Sequence, residues 1–428
     1  MQFCSRSNLP VVARGAGTSL SGGARPDKNG IVLSLARFNQ ILNIDQENRT
    51  ARVQPGVRNL AISEAVEELG LYYAPDPSSQ IACSIGGNVA ENAGGVHCLK
   101  YGLTVHNVLR LEIVLADGAI ATIGSDTPDS PGYDLLALMN GSEGMLGIVT
   151  EITVRLLPIP ETAQAVLAAF DDVEQAGDAV AAVIAGGIVP AGLEMMDNPA
   201  IRAAEEFVNC GYPINAASIL ICELDGTHKE VSRQIIRVTS LFRDNGARDI
   251  RVARTEDERL RFWSGRKNAF PAVGRISPDY YCIDGTIPRH RLGSVLKGIS
   301  SLSAEYGLRV ANVFHAGDGN LHPLILYDAS KTDEFERTEK LGGEILKLCI
   351  EAGGTITGEH GVGVEKLDQM CVQFSELELQ QFHALKGAFD PQGILNPGKA
   401  IPTLARCAEF NSMHVHKGQV PHPEIERF

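Results

Sequence analysis

No two of the nine cysteines in this 428-residue chain stand at C-x-x-C spacing. That excludes the ligand pattern of a zinc knot or an iron-sulfur cluster, and it predicts reduced, mostly buried thiols of a cytoplasmic protein. The chain also lacks a run of about 18 apolar residues free of Gly, Pro and charge. The longest candidate, residues 179–193, is interrupted by Gly186, Gly187 and Pro190 and reads as a buried helix and turn. Residues 1–10 lack the basic start, apolar middle and small-residue cleavage site of a secretory signal. Positive charge is also short: 38 Lys and Arg against 52 Asp and Glu leave a net charge of -14. General affinity for nucleic acid or an anionic membrane is therefore excluded. The length allows two or three domains, each with its own core.

Glycine is abundant, and unevenly placed. Residues 9–148 are dense in Gly, Asn and Ser between short apolar runs, the pattern of loops that approach a ligand closely. A strand over residues 10–13 runs into R-G-A-G-T-S-L-S-G-G at 14–23. This segment matches neither familiar phosphate loop: a Rossmann fingerprint requires glycine where Leu20 stands, and a P-loop requires Gly-Lys where Gly22 and Gly23 stand. No helix follows, since 24–30 is turn-like and 31–35 is another strand. What remains is a nest of backbone amides flanked by the hydroxyls of Thr18, Ser19 and Ser21, suited to an anion such as a pyrophosphate. A plain surface turn would not need four glycines and three hydroxyls in nine residues. Further clusters lie at 84–95 (S-I-G-G-N-V-A-E-N-A-G-G) and 140–147 (N-G-S-E-G-M-L-G), separated by apolar strands such as 109–115, with another over 148–154. Three such nests on one small α+β domain suit an extended ligand such as a dinucleotide.

A different chemistry appears downstream. In V-F-H-A-G-D-G-N-L-H-P, the run 308–314 reads as a buried strand, 324–327 as its return, and G-D-G-N as the connection. His315 and His322 would face opposite sides of one strand, but across a hairpin they can meet. Glu359 and His360 follow in T-G-E-H-G-V-G. Two neutral imidazoles and a carboxylate, His315, His322 and Glu359, make a facial set for Zn, Fe or Mn with positions open to substrate. His360 is left for proton transfer. The alternative, two hairpin histidines and an unrelated surface Glu-His pair, is disfavoured by four such residues in glycine-rich settings.

The loop at 14–23, the segment A-P-D-P-S-S-Q-I-A-C-S-I-G-G-N-V-A-E-N-A-G-G-V-H-C-L-K-Y-G-L-T, N-G-S-E-G-M-L-G-I-V-T-E, F-H-A-G-D-G-N-L-H-P, G-E-H-G-V-G and F-D-P-Q-G-I-L-N-P-G-K together resemble the FAD-linked 2-hydroxyacid dehydrogenases of the vanillyl-alcohol-oxidase fold. The resemblance runs to the last residue. It points to the glycolate branch, on overall similarity that includes R-C-A-E-F at 406–410 and M-H-V-H at 413–416. The resemblance implies an α+β architecture: a flavin domain over 1–158, an α/β, ferredoxin-like cap over 161–384, and a segment over 385–428 that returns to the flavin domain and ends in a tail. Periodicity agrees for the cap, with strands at 166–170, 218–224 and 280–287 and helices at 172–185 and 229–244.

By the family pattern, the pyrophosphate sits on residues 15–23, with Gly15, Ala16, Gly17, Thr18, Ser19, Ser21 and Gly22, and the isoalloxazine lies near residues 75–79, with Pro75, Ser78 and Ser79, and near Gly86, Gly87 and Ile148; Arg14 also belongs to the expected FAD set. Asn88, Gly94, Tyr101, Gly102, Glu143, Gly147 and Asn396 complete the expected FAD set. Binding is expected to be noncovalent, since no histidine precedes His97. Relatives begin with a further β-α segment, so the strand at 10–13 is expected to be an exposed edge and FAD to be held weakly.

The resemblance implies FAD- and metal-dependent oxidation of glycolate, and of D-lactate, to the 2-oxoacid, with hydride passing to flavin N5. His360 would be the base. Asn320 would orient the substrate, and Arg266, in F-W-S-G-R-K-N, would grip its carboxylate, with Arg275 and Lys267 as weaker candidates. With neither a cysteine cluster nor a nicotinamide loop, reoxidation falls to partners: a second flavin-fold subunit and an iron-sulfur subunit, at the inner face of the membrane. The tail after Ile401 is either a docking segment for them or disordered. The alternatives are a D-lactate or D-2-hydroxyglutarate dehydrogenase, an alkyl-dihydroxyacetone-phosphate synthase-like transferase, and a non-catalytic flavin-fold partner. Presence of all four His and Glu residues argues against the last.

Overall fold

The computed structural model describes residues 1–127 and 132–412. Its N-terminal half is built on an antiparallel sheet in the order Ile41–Asp45, Thr50–Val53, Ile148–Arg155, Val108–Val114 and Ile120–Gly124. The alternation in V-L-R-L-E-I-V explains the Val108–Val114 strand: Leu111 and Ile113 are fully buried with Ile62, Ile85 and Val89 of two helices, while Arg110 and Glu112 lie on the other face.

A short parallel pair, Val11–Arg14 with Ile31–Ser34, carries the first glycine loop. The exposed edge expected at residues 10–13 is absent. Leu395 bridges Val11 on its open side, where Val11 N donates to Ile394 O at 2.7 Å and Asn396 N donates to Val11 O at 2.8 Å. Val11 and Val12 are buried in consequence, and Ile31 and Val32 are the exposed edge residues. The returning C-terminal segment supplies the pairing on that side.

The larger sheet has seven antiparallel strands. Thr162–Phe170, Gly192–Asp197, Ser218–Gly226 and Asp249–Val252, with helices Val173–Ala185 and His228–Asp244, form a βαββαβ unit whose strands lie in the ferredoxin-like order fourth, first, third, second. Asp279–Cys282, helix Leu292–Tyr306, Arg309–Phe314, Pro323–Tyr327 and helix Glu334–Glu351 repeat most of that unit. The two second strands meet edge to edge, Met195 opposite Phe314 and Met196 opposite Val313. Helices cover both faces, which explains unbroken apolar runs such as A-V-L-A-A-F. A capping box, Thr227 with Glu230, starts the His228–Asp244 helix.

Two strands, Gly192–Asp197 and Asp249–Val252, carried no sequence signal strong enough to be expected. The strand expected at 280–287 is broken: Asp279–Cys282 pairs with Pro323–Tyr327, whereas Gly285–Thr286 pairs with Asn320–Leu321. Asp284, at the break, is fully buried. Helix Glu376–Phe389 runs through residue 384, the expected end of the cap.

The expectation of nine reduced cysteines fails at one pair. Cys371 and Cys407 form a disulfide between helices Leu367–Gln373 and Leu404–Ser412, where Arg406 also pairs with Asp368 at 2.6 Å. Their separation of 36 residues gives no local signal; packing of the two helices brings them together. The other seven cysteines are free thiols. Closing a loop of that length is worth about 4 kcal/mol. Cys407→Ser should therefore speed limited proteolysis around residues 404–412; equal cleavage rates would mean that packing and the Arg406 ion pair suffice. The motif at 413–416 lies outside the described residues. Among the described residues, no helix is long and apolar enough to cross a membrane.

Candidate active site

A cavity of about 600 Å³ separates the glycine loops from the larger sheet's domain. This is ample for part of a dinucleotide and a small substrate. One wall is Gly15, Ala16, Gly17, Thr18, Ser19, Ser78, Ser79, Gly86, Gly87, Asn88, Glu143, Gly147 and Ile148, all from the expected FAD set. Gly86 shows why glycine is required: a Cβ there would stand 2.5 Å from Pro55 Cβ and 2.9 Å from Pro55 O. Gly17 adopts a left-handed φ of 73°, with the Arg14 guanidinium folded against it.

The rest of that set lies around the cavity instead of lining it. Ser21 Oγ donates to Gly361 O at 2.9 Å, Gly22 abuts Val364, and Pro75 O accepts from Asn59 Nδ2 at 3.0 Å. Gly94 packs on Glu359, Gly102 turns beside His106, and Asn396 Nδ2 donates to Gly23 O and Glu143 O. Tyr101 is used differently from the expectation: its hydroxyl donates to Asp225 at 2.6 Å, tying the flavin-side loops to the Ser218–Gly226 strand. Glu143 lines the cavity, yet its two oxygens accept from Val362 N and Gly363 N, fastening the G-V-G turn after His360. Glu91, missed in the sequence, lies beside it with one buried carboxylate oxygen unpartnered. Burial and the neighbouring Glu143 push its pKa up.

On the opposite wall, His315, His322, Glu359 and His360 converge. His315 directly follows the Arg309–Phe314 strand, and the hairpin sets the two rings 5.2 Å apart and nearly perpendicular. Glu359 Oε1 lies 3.1 Å from His322 Nε2 and 3.5 Å from His315 Nε2. One ligand atom from each of the three falls within 4.8 Å of the others. The set fits a divalent cation: all three groups are buried or nearly so, and His322 Nδ1 is buried without a partner. Burial pushes the Glu359 pKa up, but hydrogen bonds from His315 and His322 outweigh it and hold the group anionic. The His360 ring stacks on His322 at 5.0 Å. Burial, the largest influence, lowers the His360 pKa to about 4, so its imidazole is neutral.

The loop bearing Glu359 and His360 is wrapped around Asp284. This carboxylate accepts from Thr357 Oγ1 at 2.7 Å, from the backbone amides of Gly358, Glu359 and His360, and from Lys366 Nζ at 3.0 Å. Burial raises the Asp284 pKa, but Lys366 and the nearby histidines overcome it, leaving the pKa well below the carboxylate range. Asn320, expected at the substrate, is a strut here: its amide donates to Asp284 Oδ1 at 2.8 Å and to Gly285 O at 3.3 Å.

Arg266 comes from the last turn of helix Glu256–Lys267, started by the Thr255 cap and anchored by buried Phe262 and Trp263. It lines the cavity, as does Lys267. Arg275 does not, its guanidinium lying on the Phe207 ring. Arg266 Nε donates to Glu194 Oε2 at 2.8 Å, and His315 Nδ1 donates to Glu194 Oε1 at 2.8 Å. Glu194 had no signal in the sequence.

Residues 1–124 match the family model "FAD binding domain" and residues 159–400 match "FAD linked oxidases, C-terminal domain". Glycolate oxidase subunit GlcD of Escherichia coli K12 is 65% identical over 428 residues, 100% of this chain and 86% of the relative. A D-lactate dehydrogenase of Anaerostipes hadrus is 33% identical over 93% of this chain and 86% of its own length. Among solved structures, 4-ethylphenol oxidase from Gulosibacter chungangensis aligns over 94% of this chain and 87% of that one with a TM-score of 0.77 at 20% identity, a likeness of fold. On these matches, the chain belongs to the FAD-linked oxidases.

Proposed function

We propose that this protein oxidises glycolate to its 2-oxoacid, with the proton and the carboxylate of the substrate handled by the larger domain and the hydride passed across the cavity. The observation that carries the reading is the convergence of His315, His322, Glu359 and His360 on the wall facing the glycine loops. When bound, FAD supplies a hydride acceptor and a divalent cation supplies a Lewis acid that lowers the hydroxyl pKa. In this reading, residues 1–158 hold FAD, residues 161–384 form the cap, and the segment that follows, through Leu395 and Asn396, returns to the flavin side. The amides of residues 15–19, with Thr18 and Ser19, hold the pyrophosphate. His315, His322 and Glu359 hold the cation, Zn, Fe or Mn. Neutral His360 accepts the hydroxyl proton at a ring nitrogen. Arg266 meets the substrate carboxylate with its terminal nitrogens, its Nε being occupied by Glu194. By the name of its glycolate oxidase relative, the chain works as one subunit; a second flavin-fold subunit and an iron-sulfur subunit would carry electrons onward from the cytoplasmic side of the membrane.

The test is a dye-reduction screen of the flavin-loaded chain with glycolate, D-lactate and D-2-hydroxyglutarate, alongside elemental analysis of the parent and of His322→Ala. Glycolate should be oxidised, and a stoichiometric metal should be present in the parent and missing in the variant. Equal metal in both samples would overturn the ligand set, and inactivity towards every 2-hydroxyacid would overturn the reaction. Preference for D-lactate is the second reading, favoured by the D-lactate dehydrogenase relative and separated in the same screen. Arg266→Lys should raise KM for glycolate about tenfold while leaving metal content intact, because an ammonium cannot reproduce the guanidinium fork. An unchanged KM would remove Arg266 as the carboxylate anchor.

A further inference from the structure

Glu194 sits mid-strand in Gly192–Asp197, between buried Leu193 and Met195, and is itself 1% exposed. An ionised carboxylate in such a place costs more to bury than an apolar side chain of similar size would. Its two oxygens serve two different partners, His315 Nδ1 and Arg266 Nε, each at 2.8 Å. These partners stand 121 and 72 residues away in the chain and belong to the two chemically distinct arms of the site.

We propose that Glu194 is a positioning residue that aligns the cation-binding and carboxylate-binding arms of the site as a unit. The inference rests on the reading of the site given above. By accepting the Nδ1 proton, Glu194 orients the His315 ring and leaves Nε2, 3.5 Å from Glu359 Oε1, as the nitrogen that would meet the cation. By holding Arg266 through Nε, it leaves the two terminal nitrogens of this cavity-lining side chain outside the Glu194 bond. Only a carboxylate offers two acceptor oxygens at this reach. A glutamine has one, so whichever partner it serves, the other loses its bond or its orientation. A single strand residue thus sets how far the cation stands from the guanidinium, and the glycolate carboxylate has to reach both.

The experiment uses the flavin-loaded full chain as parent, Glu194→Gln, Arg266→Ala and the double variant. Zn²⁺ affinity is read by competition with a chromophoric chelator, and half-saturating glycolate by single-turnover loss of flavin absorbance. Glu194→Gln should weaken Zn²⁺ binding 10–100-fold in both backgrounds, the usual effect of losing the carboxylate behind a metal-binding histidine. It should also raise half-saturating glycolate several-fold in the parent background and much less in the Arg266→Ala background. A purely structural role would not produce that Arg266-dependent split. Unchanged Zn²⁺ affinity in Glu194→Gln, or a glycolate effect equal in both backgrounds, would overturn the inference. A parent that takes up no Zn²⁺ would overturn the site reading itself, a distinguishable failure. Should Glu194→Gln not fold, Glu194→Asp is read the same way, since it keeps the buried anion but withdraws it by one methylene.

Discussion

Replacing His360 by alanine should slow flavin reduction by glycolate about 100-fold or more, the scale expected when a general base is lost. Flavin and metal should remain bound. The ring stacks on His322 at 5.0 Å and lies 3.9 Å from Glu359 Oε1, close enough to reach a substrate hydroxyl at the cation site. Yet neither His315 nor His322 relies on it for a hydrogen bond to Glu359. The loop backbone, gripped by Asp284 through the amides of Gly358, Glu359 and His360, does not depend on the imidazole. Single-turnover flavin absorbance separates this step from reoxidation by partners. A rate within a few-fold of the parent would place the base elsewhere.

The second large effect is on stability. Lys366→Met should destabilise the protein by about 3–5 kcal/mol, because it strands a buried anion. Asp284 is 0% and Lys366 1% exposed, and without the ammonium the carboxylate would keep only neutral donors. The double variant Asp284→Asn with Lys366→Met should recover much of that loss, since the unpaired charge is then gone. Denaturant midpoints of tertiary fluorescence give the comparison. The Lys366→Met chain should also oxidise glycolate poorly, for its Thr357–His360 turn has lost the charge that fixes its centre. A midpoint shift worth less than about 1 kcal/mol would mean that water or a neighbouring group compensates the anion.

Much of the site was legible because it is written in local sequence. The hairpin shows as two apolar runs around G-D-G-N, and its geometry alone brings His315 to His322. The glycine nests likewise declare close approach to a ligand, and the cavity wall is built from them. The supporting carboxylates were not legible. Glu194 interrupts G-L-E-M-M-D and Asp284 interrupts an apolar strand, and in each case the residues that justify the charge lie tens of positions away. Periodicity cannot register such a partner. Asn320 misled for the same reason: its place in a glycine-rich loop matched a substrate contact, whereas distant Asp284 had claimed its amide. The β-edge expectation failed because it considered only the start of the chain, and the strand is completed by residues 394–396.

That completion joins Val11 to Leu395, so the first strand and a segment almost 400 residues later are hydrogen-bonded neighbours. During synthesis the loop at residues 14–23 leaves the ribosome early, yet Asn396, which grips Gly23 O and Glu143 O, arrives only after the entire seven-stranded domain. Such a long-range closure is slow to find and leaves apolar strand surface waiting. The clasp can therefore close only once residue 396 has left the ribosome, and a nascent polypeptide stalled before that point would carry the glycine loops without the contacts that join them.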